Sequence, residues 1–272
     1  MVVAADEPVA GYCARHGLSP KRPAMQVYDT HCHIGLDEVP PDEDHARAVA
    51  AQVDAMLVVG IDAATSAAAR ALQRLDGVRW SAGLHPNDSH AFAAEWPQID
   101  ALARDPSCAA IGETGLDCYR DRTPLAEQER SFRAHLELAR ELDKPVVIHC
   151  RDAFEPLFRV LADEPPIHGV MHCFSGGVDE ARRALDFGLH VSFAGPLTYK
   201  KSDELRRACA FVPLDRALVE TDAPFLPPQS RRGKRNEPAL VVETLAKFAE
   251  VRGMSLEEAA AATYANAIAL FG

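Results

Sequence analysis

Two histidines, His31 and His33, stand one residue apart at the end of a short apolar segment, in the motif DTHCH. Because side chains on a strand alternate between its two faces, both imidazoles should point to the same side. Imidazole nitrogens are common ligands of divalent transition metals. The pair therefore indicates a metal site at the end of a buried strand.

Four more side chains that commonly bind metals follow later apolar segments, and they are Glu113, His149, His172 and Asp222. One catalytic zinc needs three protein ligands and a water, so six side chains exceed what a single ion requires. Six suit two divalent ions with Glu113 as the bridging carboxylate, and such a pair can activate a water for a displacement reaction. Nitrogen and oxygen ligands fit Zn²⁺, Mn²⁺, Mg²⁺ or Ni²⁺ and leave the choice among them open.

Eight short segments rich in Val, Ile, Leu and Ala are predicted to be the strands that position these residues. They cover residues 26–29, 55–60, 80–84, 108–112, 145–149, 169–173, 190–193 and 217–220. Helical patterns lie between them, most clearly at 125–142, and residues 241–251 and 256–270 are predicted to form the closing helices.

This alternation predicts an α/β fold, a single-domain (β/α)₈ TIM barrel over residues 25–272, preceded by an N-terminal extension at 1–24. Catalytic residues of such barrels come from the carboxyl ends of the strands, where all six candidates fall. A doubly wound open sheet is the rival architecture, and the lack of a glycine-rich loop after the first segment weighs against it. The irregular segment 224–238 is predicted to be a loop over the barrel mouth.

The bulk properties of the 272-residue chain restrict its partners and compartment. A net charge of -11 argues against strong nonspecific binding of nucleic acid. The seven cysteines are odd in number and show no C-x-x-C spacing, which favours reduced thiols and a cytoplasmic location. No apolar stretch is long enough to span a membrane, so we expect no membrane partner. We also expect the protein to be a monomer or a weak oligomer.

Six motifs occur in the order DTHCH, GETGLD, PVVIHCRDA, HCFSG, ETDAPFLPP and RGKRNEP. In this order they resemble the TatD family of metal-dependent deoxyribonucleases, which are amidohydrolase-like barrels. The resemblance implies a divalent-metal site at His31, His33, Glu113, His149, His172 and Asp222. It also implies hydrolysis of DNA phosphodiester bonds, often from a 3′ end, with DNA ends as the substrate. Glu113 and Asp222 would then be the catalytic residues near the attacking water, and we expect Asp222 to be the general base.

Four further residues are candidates for contact with substrate: His85, Arg151, Ser175 and Arg235. His85 ends the third apolar segment, Arg151 follows His149, and Ser175 begins a Ser-Gly-Gly turn whose backbone N–H groups could bind an oxyanion. Arg235 belongs to a basic run that could equally be a solvated face.

Two polar residues near the predicted ligands have two possible roles each. Asp29 could orient a ligand or lie within the barrel layer, and Asn236 could reach a phosphate or hold the mouth loop.

Two other function classes compete with the nuclease. One is an amidohydrolase-type hydrolase of a small amide or ester, but many such barrels bridge their metals with a carboxylated lysine where this chain has Glu113. The other is a non-catalytic binding protein on the same fold, for which loss of ligands would be typical, and none is lost here.

Overall fold

The computed structural model describes residues 25–120 and 122–272, and within them eight parallel strands pair in sequence order. The strands are β1 (Val27–Cys32), β2 (Val53–Val59), β3 (Val78–Ala82), β4 (Cys108–Asp117), β5 (Val146–Arg151), β6 (Gly169–Met171), β7 (His190–Phe193) and β8 (Ala217–Val219). The predicted extension at residues 1–24 lies outside the described residues.

Nine α-helices are described, and most connect one strand to the next. They are α1 (Pro41–Ala50), α2 (Ala63–Leu72), α3 (Phe92–Ala103), α4 (Leu125–Leu142), α5 (Phe154–Asp163), α6 (Val178–Asp186), α7 (Asp203–Phe211), α8 (Val241–Arg252) and α9 (Leu256–Phe271). None of the helices in the described ranges is both long and apolar enough to cross a membrane.

Backbone contacts between the end of β1 and the segment after β8 close the sheet into a barrel. The His33 N–H donates to the Ala223 carbonyl (2.7 Å), and the Asp222 N–H donates to the His31 carbonyl (2.9 Å). The (β/α)₈ prediction is therefore confirmed. The end of β1 and the segment after β8 meet at a seam, which closes the barrel.

The amino end of the barrel is filled by apolar side chains, which leaves the carboxyl end for the functional residues. Tyr28 and the inward residues of β2, β5 and β8 form one buried cluster with the last helix, α9. The Tyr28 ring lies 6.2 Å from that of Tyr264 and 6.3 Å from that of Phe271. A second, larger cluster packs the helices onto the outer face of the sheet.

Several strands differ in length from their predictions in a way that affects the site. The prediction ended β1 at residue 29 and β4 at residue 112, whereas pairing continues to Cys32 and Asp117. His31 and Glu113 therefore lie within strands. Their backbone is held by two hydrogen bonds, from the Asp222 N–H to the His31 carbonyl (2.9 Å) and from the Glu113 N–H to the Gly60 carbonyl (2.9 Å). Helix α4 has its predicted bounds and ends where Asp143 adopts a left-handed conformation, with φ of 51°.

His135 of α4 connects this helix to the loop that follows β3. It is fully buried, its Nδ1–H donates to the Ser131 carbonyl (2.8 Å), and its Nε2 accepts the Leu84 N–H (3.1 Å). Burial lowers the pKa of His135 from 6.5 to about 4, although the bond to Ser131 opposes the shift. The folded protein therefore holds this imidazole neutral.

We predict that His135 makes the metal-free protein less stable in mild acid. The unfolded chain binds the His135 proton below pH 6.5, but the folded chain does so only near pH 4, so stability present at pH 7 is lost as the pH falls between these values. This group should contribute a loss of about 2 kcal/mol between pH 7 and pH 5. Urea unfolding at both pH values should show a smaller loss for His135→Gln than for wild type. The exposed control His168→Gln should behave as wild type, and an unchanged loss in His135→Gln would contradict the prediction.

Candidate metal centre

The side chain of Glu113 lies at the centre of the carboxyl end of the barrel and contacts two pairs of histidines. Its Oε2 lies 3.4 Å from His31 Nε2 and 3.6 Å from His33 Nε2. Its Oε1 lies 2.7 Å from His149 Nδ1 and 2.8 Å from His172 Nε2. Each carboxylate oxygen thus faces its own pair of imidazoles, which is the arrangement expected of a bridging carboxylate.

Two glycines of β4 let the backbone at Glu113 come close to β5. Gly112 and Gly115 both have φ of 139°, a conformation that side chains other than that of glycine rarely adopt. A Cβ atom at Gly112 would lie 2.5 Å from the Val147 carbonyl oxygen, and one at Gly115 would lie 2.1 Å from that of His149. Steric contact with β5 therefore explains the two glycines of the GETG sequence. The close approach that they allow sets the distance between Glu113 and His149.

Asp222 completes the set on the side of the first histidine pair. Its Oδ1 lies 3.6 Å from His33 Nε2 and 3.8 Å from His31 Nε2. Its side chain is 12% exposed, whereas that of His31 is fully enclosed, so the carboxylate of Asp222 borders the solvent-facing side of the site. The structure therefore brings together all six side chains that the sequence predicted as metal ligands.

Two carboxylates that sequence reasoning had not assigned hold the second pair of histidines from behind. Asp117 Oδ2 lies 3.3 Å from His149 Nε2, and Glu220 Oε1 lies 3.3 Å from His172 Nδ1. A carboxylate on the far nitrogen fixes the orientation of an imidazole and makes it a stronger ligand. The only sequence signal was spacing: Asp117 and Glu220 lie four and two residues from predicted ligands of the same parity.

Mutual contacts set the pKa values in the cluster. Burial alone would raise the pKa of Glu113, but interaction with His172 and hydrogen bonds from the histidines hold it well below its usual range. Burial opposes the protonation of His172, yet Glu113 and Glu220 raise its pKa well above normal. His31 differs, since burial and the neighbouring His172 lower its pKa. Glu113 and His172 thus favour each other's charged forms.

The arrangement of donors fits divalent cations. His31 Nε2 and His33 Nε2 face each other at 3.0 Å, and both also face Glu113 and Asp222. Two imidazole nitrogens each about 2.0–2.1 Å from one zinc ion would lie at about this separation. The His33 Nδ1–H donates to the Val59 carbonyl (2.9 Å), which leaves Nε2 free to ligate. The residues present therefore fit the ions that the sequence predicted.

The predicted substrate residues occupy different positions around this cluster. His85 lies against it, with Nε2 3.7 Å from Glu113 Oε1 and its ring 4.5 Å from that of His149. Burial lowers the pKa of His85 to about 3, against the attraction of Glu113, so this imidazole is neutral. Arg151 is exposed, and its guanidinium lies 3.8 Å from the centre of the Tyr119 ring. Ser175 is exposed on the turn after β6.

Arg235 has carboxylate partners that the sequence did not reveal. Its Nε and Nη2 donate to Asp37, at 2.5 Å and 3.1 Å, and its Nη1 and Nη2 donate to Asp44, at 2.9 Å and 2.6 Å. These two bidentate pairs join the mouth loop to the segment after β1. This pairing with two carboxylates favours a structural role for Arg235. Contact between Arg235 and a phosphate stays a prediction, and the observed geometry argues against it.

Asp29 and Asn236, for which the sequence left two interpretations each, both stabilise the seam of the barrel. Asp29 accepts hydrogen bonds from the Thr221 N–H (2.8 Å) and hydroxyl (2.6 Å), without touching a ligand imidazole. Asn236 is buried, and its Nδ2 donates to the carbonyls of Thr221 (2.8 Å) and Phe225 (2.6 Å). Asn236 therefore holds the mouth loop and fixes the backbone around Asp222.

Comparison with known proteins assigns the family. The sequence model described as TatD related DNase matches residues 28–272. The chain belongs to this family. Membership confirms the resemblance seen in the motifs and the prediction of a metal-dependent hydrolase that cleaves phosphodiester bonds, and it does not favour the small-molecule hydrolase or the binding protein.

Individual TatD relatives match over nearly their whole length. The chain is 36% identical to the uncharacterized metal-dependent hydrolase YabD of Bacillus subtilis, over 90% of this chain and 98% of that protein. It is 41% identical to the 3′-5′ ssDNA/RNA exonuclease TatD of Citrobacter koseri, over 90% and 99%. The crystal structure of the TatD homologue YJJV from Escherichia coli superposes with a TM-score of 0.84 at 30% identity, covering 90% of this chain and 97% of that one.

We predict that this site binds divalent metal through His33. His33→Ala removes an imidazole that faces both Glu113 and Asp222, so metal content and activity should fall while the barrel stays folded. Elemental analysis after reconstitution and dialysis gives the occupancy, and circular dichroism checks the fold. The control His168→Ala removes an exposed histidine that precedes β6, and it should leave the metal content unchanged. Full occupancy in His33→Ala would contradict the assignment.

Proposed function

We propose that this TatD-family enzyme removes nucleotides from single-stranded or frayed DNA ends, from the 3′ terminus, with two divalent ions in its site. The division of the two Glu113 oxygens between two pairs of histidines carries the proposal of two ions. The 3′ polarity and the single-stranded substrate are supported by the name of the Citrobacter koseri relative. The identity of the ions stays open among Zn²⁺, Mn²⁺, Mg²⁺ and Ni²⁺.

The proposed ligands are His31, His33 and Asp222 on one side, His149 and His172 on the other, and Glu113 between them. Divalent ions held there would lower the pKa of a water and offset the charge that develops on the phosphate. Asp222 is placed to accept the proton of that water, because its carboxylate is the one that borders solvent. As the water oxygen bonds to phosphorus, the bond from phosphorus to the leaving sugar oxygen breaks, and that oxygen takes up a proton.

The residues around the ligands would bind and orient the substrate. His85 is neutral beside Glu113 and can donate a hydrogen bond from Nε2 to a phosphate oxygen, because its Nδ1 already accepts the Asn87 N–H (3.1 Å). The guanidinium of Arg151 lies over the Tyr119 ring at 3.8 Å, and its N–H groups would donate to a phosphate. The turn at Ser175 offers backbone N–H groups at the same end of the barrel. These contacts are local, which reconciles a polyanionic substrate with a chain of net charge -11.

The function is tested with oligonucleotides carrying a label at the 5′ or the 3′ end, single-stranded and duplex, and protein reconstituted with each of the four ions. We expect metal-dependent shortening from the 3′ end, faster on single strands. Asp222→Asn keeps the shape of the side chain but removes the base, so turnover should fall by roughly 10²-fold or more. The control Asp163→Asn changes an exposed carboxylate at the end of α5 and should have wild-type turnover. Near-normal turnover in Asp222→Asn would show that another group accepts the proton.

Arg151 and Arg235, both at the mouth, should differ when each is changed to glutamine. Arg151→Gln should raise KM for oligonucleotides and weaken the dependence of binding on salt, because fewer counterions are released. Arg235→Gln breaks pairs with buried Asp44 and with Asp37, so it should lower the melting temperature and affect the salt dependence little. Steady-state kinetics across a salt series and thermal unfolding separate these outcomes. A weakened salt dependence in Arg235→Gln alone would reverse the two roles.

A further inference from the structure

Exposed apolar side chains are concentrated at the mouth of the barrel. In the described ranges seven large apolar residues are exposed, and four of them stand on segments at the carboxyl ends of strands. These four are Leu36, Tyr119, Phe225 and Leu226. Isolated exposed apolar residues are ordinary, but apolar side chains gathered beside a polar pocket are typical of a binding surface.

Phe225 lies nearest to the first pair of histidines. Phe225 is 51% exposed. Its ring centre lies 6.1 Å from that of His33, and the planes of the two rings make an angle of 68°. Its backbone is fixed on both sides, because the Phe225 N–H donates to the Asp222 carbonyl (2.8 Å) and its own carbonyl accepts from Asn236 (2.6 Å). An aromatic ring is thus held in solvent contact at a set position beside the ligands.

The two tyrosines near the mouth differ from Phe225 in that a guanidinium covers each of them. Arg151 lies 3.8 Å from the Tyr119 ring centre, and Arg232 lies 4.2 Å from that of Tyr199. Tyr199 is also tied by its hydroxyl, which donates to the Pro227 carbonyl (3.0 Å). Among the described residues no arginine or lysine lies over the ring of Phe225, so this ring keeps a face available for an incoming aromatic group.

We propose that Phe225 is the platform on which the base of a nucleotide next to the scissile phosphate stacks. The inference rests on the proposed function, since it assigns the nucleobase as occupant of this surface. Every base has an aromatic face, so stacking on a phenyl ring tolerates any sequence, as a nuclease acting on ends of varied sequence requires. Arg151 and Arg232 supply basic groups at the same end of the barrel, where they would attract the phosphates of the strand.

The experiment compares two 5′-labelled single strands of one sequence, one intact and one whose last two 3′ nucleotides lack bases. Phe225→Ala should lower kcat/KM on the intact strand about tenfold, within the range that loss of one stacked base gives. It should change kcat/KM on the abasic strand little. Wild type should already prefer the intact strand by a similar factor. Phe225→Trp should keep the preference for bases, and Phe225→Leu, which keeps apolar bulk without an aromatic face, should lose it.

Phe211→Ala is the matched control, because Phe211 is also exposed (40%) but lies at the end of α7. It should behave as wild type on both strands. A second readout is the fluorescence of 2-aminopurine at the 3′ terminus, which stacking quenches. Quenching should occur when this strand binds to Asp222→Asn, and Phe225→Leu added to that variant should abolish it.

The outcomes separate this inference from the function on which it rests. Equal losses by Phe225→Ala on the intact and abasic strands, or a preference for bases retained by Phe225→Leu, would overturn the platform while the nuclease stands. If wild type cleaves a small phosphodiester such as bis-p-nitrophenyl phosphate but neither strand, the proposed function fails, and the platform fails with it.

Discussion

A carboxylate buried among imidazoles constrains the rest of this structure. Enclosing the charge of Glu113 in the barrel would cost several kcal/mol if no group balanced it. The chain balances it with histidines from three different strands, two on each carboxylate oxygen. Glycines in β4 allow the close approach, and the apolar plug at the amino end of the barrel keeps water to one side. The site is therefore a cluster in which the buried carboxylate and the imidazoles compensate one another.

Two further carboxylates, on the far side of the histidines from Glu113, add to this charge balance. Asp117 and Glu220 hold His149 and His172 from behind, and Glu220 also accepts the Cys173 N–H (2.7 Å). The second histidine pair is therefore fixed by side chains, whereas His33 is fixed by the Val59 carbonyl. The two histidine pairs therefore have different supports, although both face the carboxylate of Glu113.

The sequence predicts that these six side chains lie together because each is placed by a rule of local geometry. Parity along β1 puts His31 and His33 on one face, and parallel strands bring the other four to the same end of the barrel. What it predicts poorly depends on contacts between distant segments. Nothing near Arg235 in the chain shows that Asp37 and Asp44 will hold it, since those partners come from the far side of the seam. Asp117 was missed for a related reason: β4 is longer than its apolar core suggests, so a residue expected in a loop lies in the strand.

The closing seam between β1 and β8 has a consequence for the order in which the enzyme gains its site. His31 leaves the ribosome early and Asp222 late, with the other four ligands between them in the chain. Until the segment after β8 pairs with β1, the carboxylate on the solvent side of the first histidine pair is missing, and the Asp222 N–H and His33 N–H have no partners across the seam. A nascent chain therefore carries histidines and Glu113 without the residue assigned to proton transfer. The complete set of six side chains is therefore a property of the closed barrel alone.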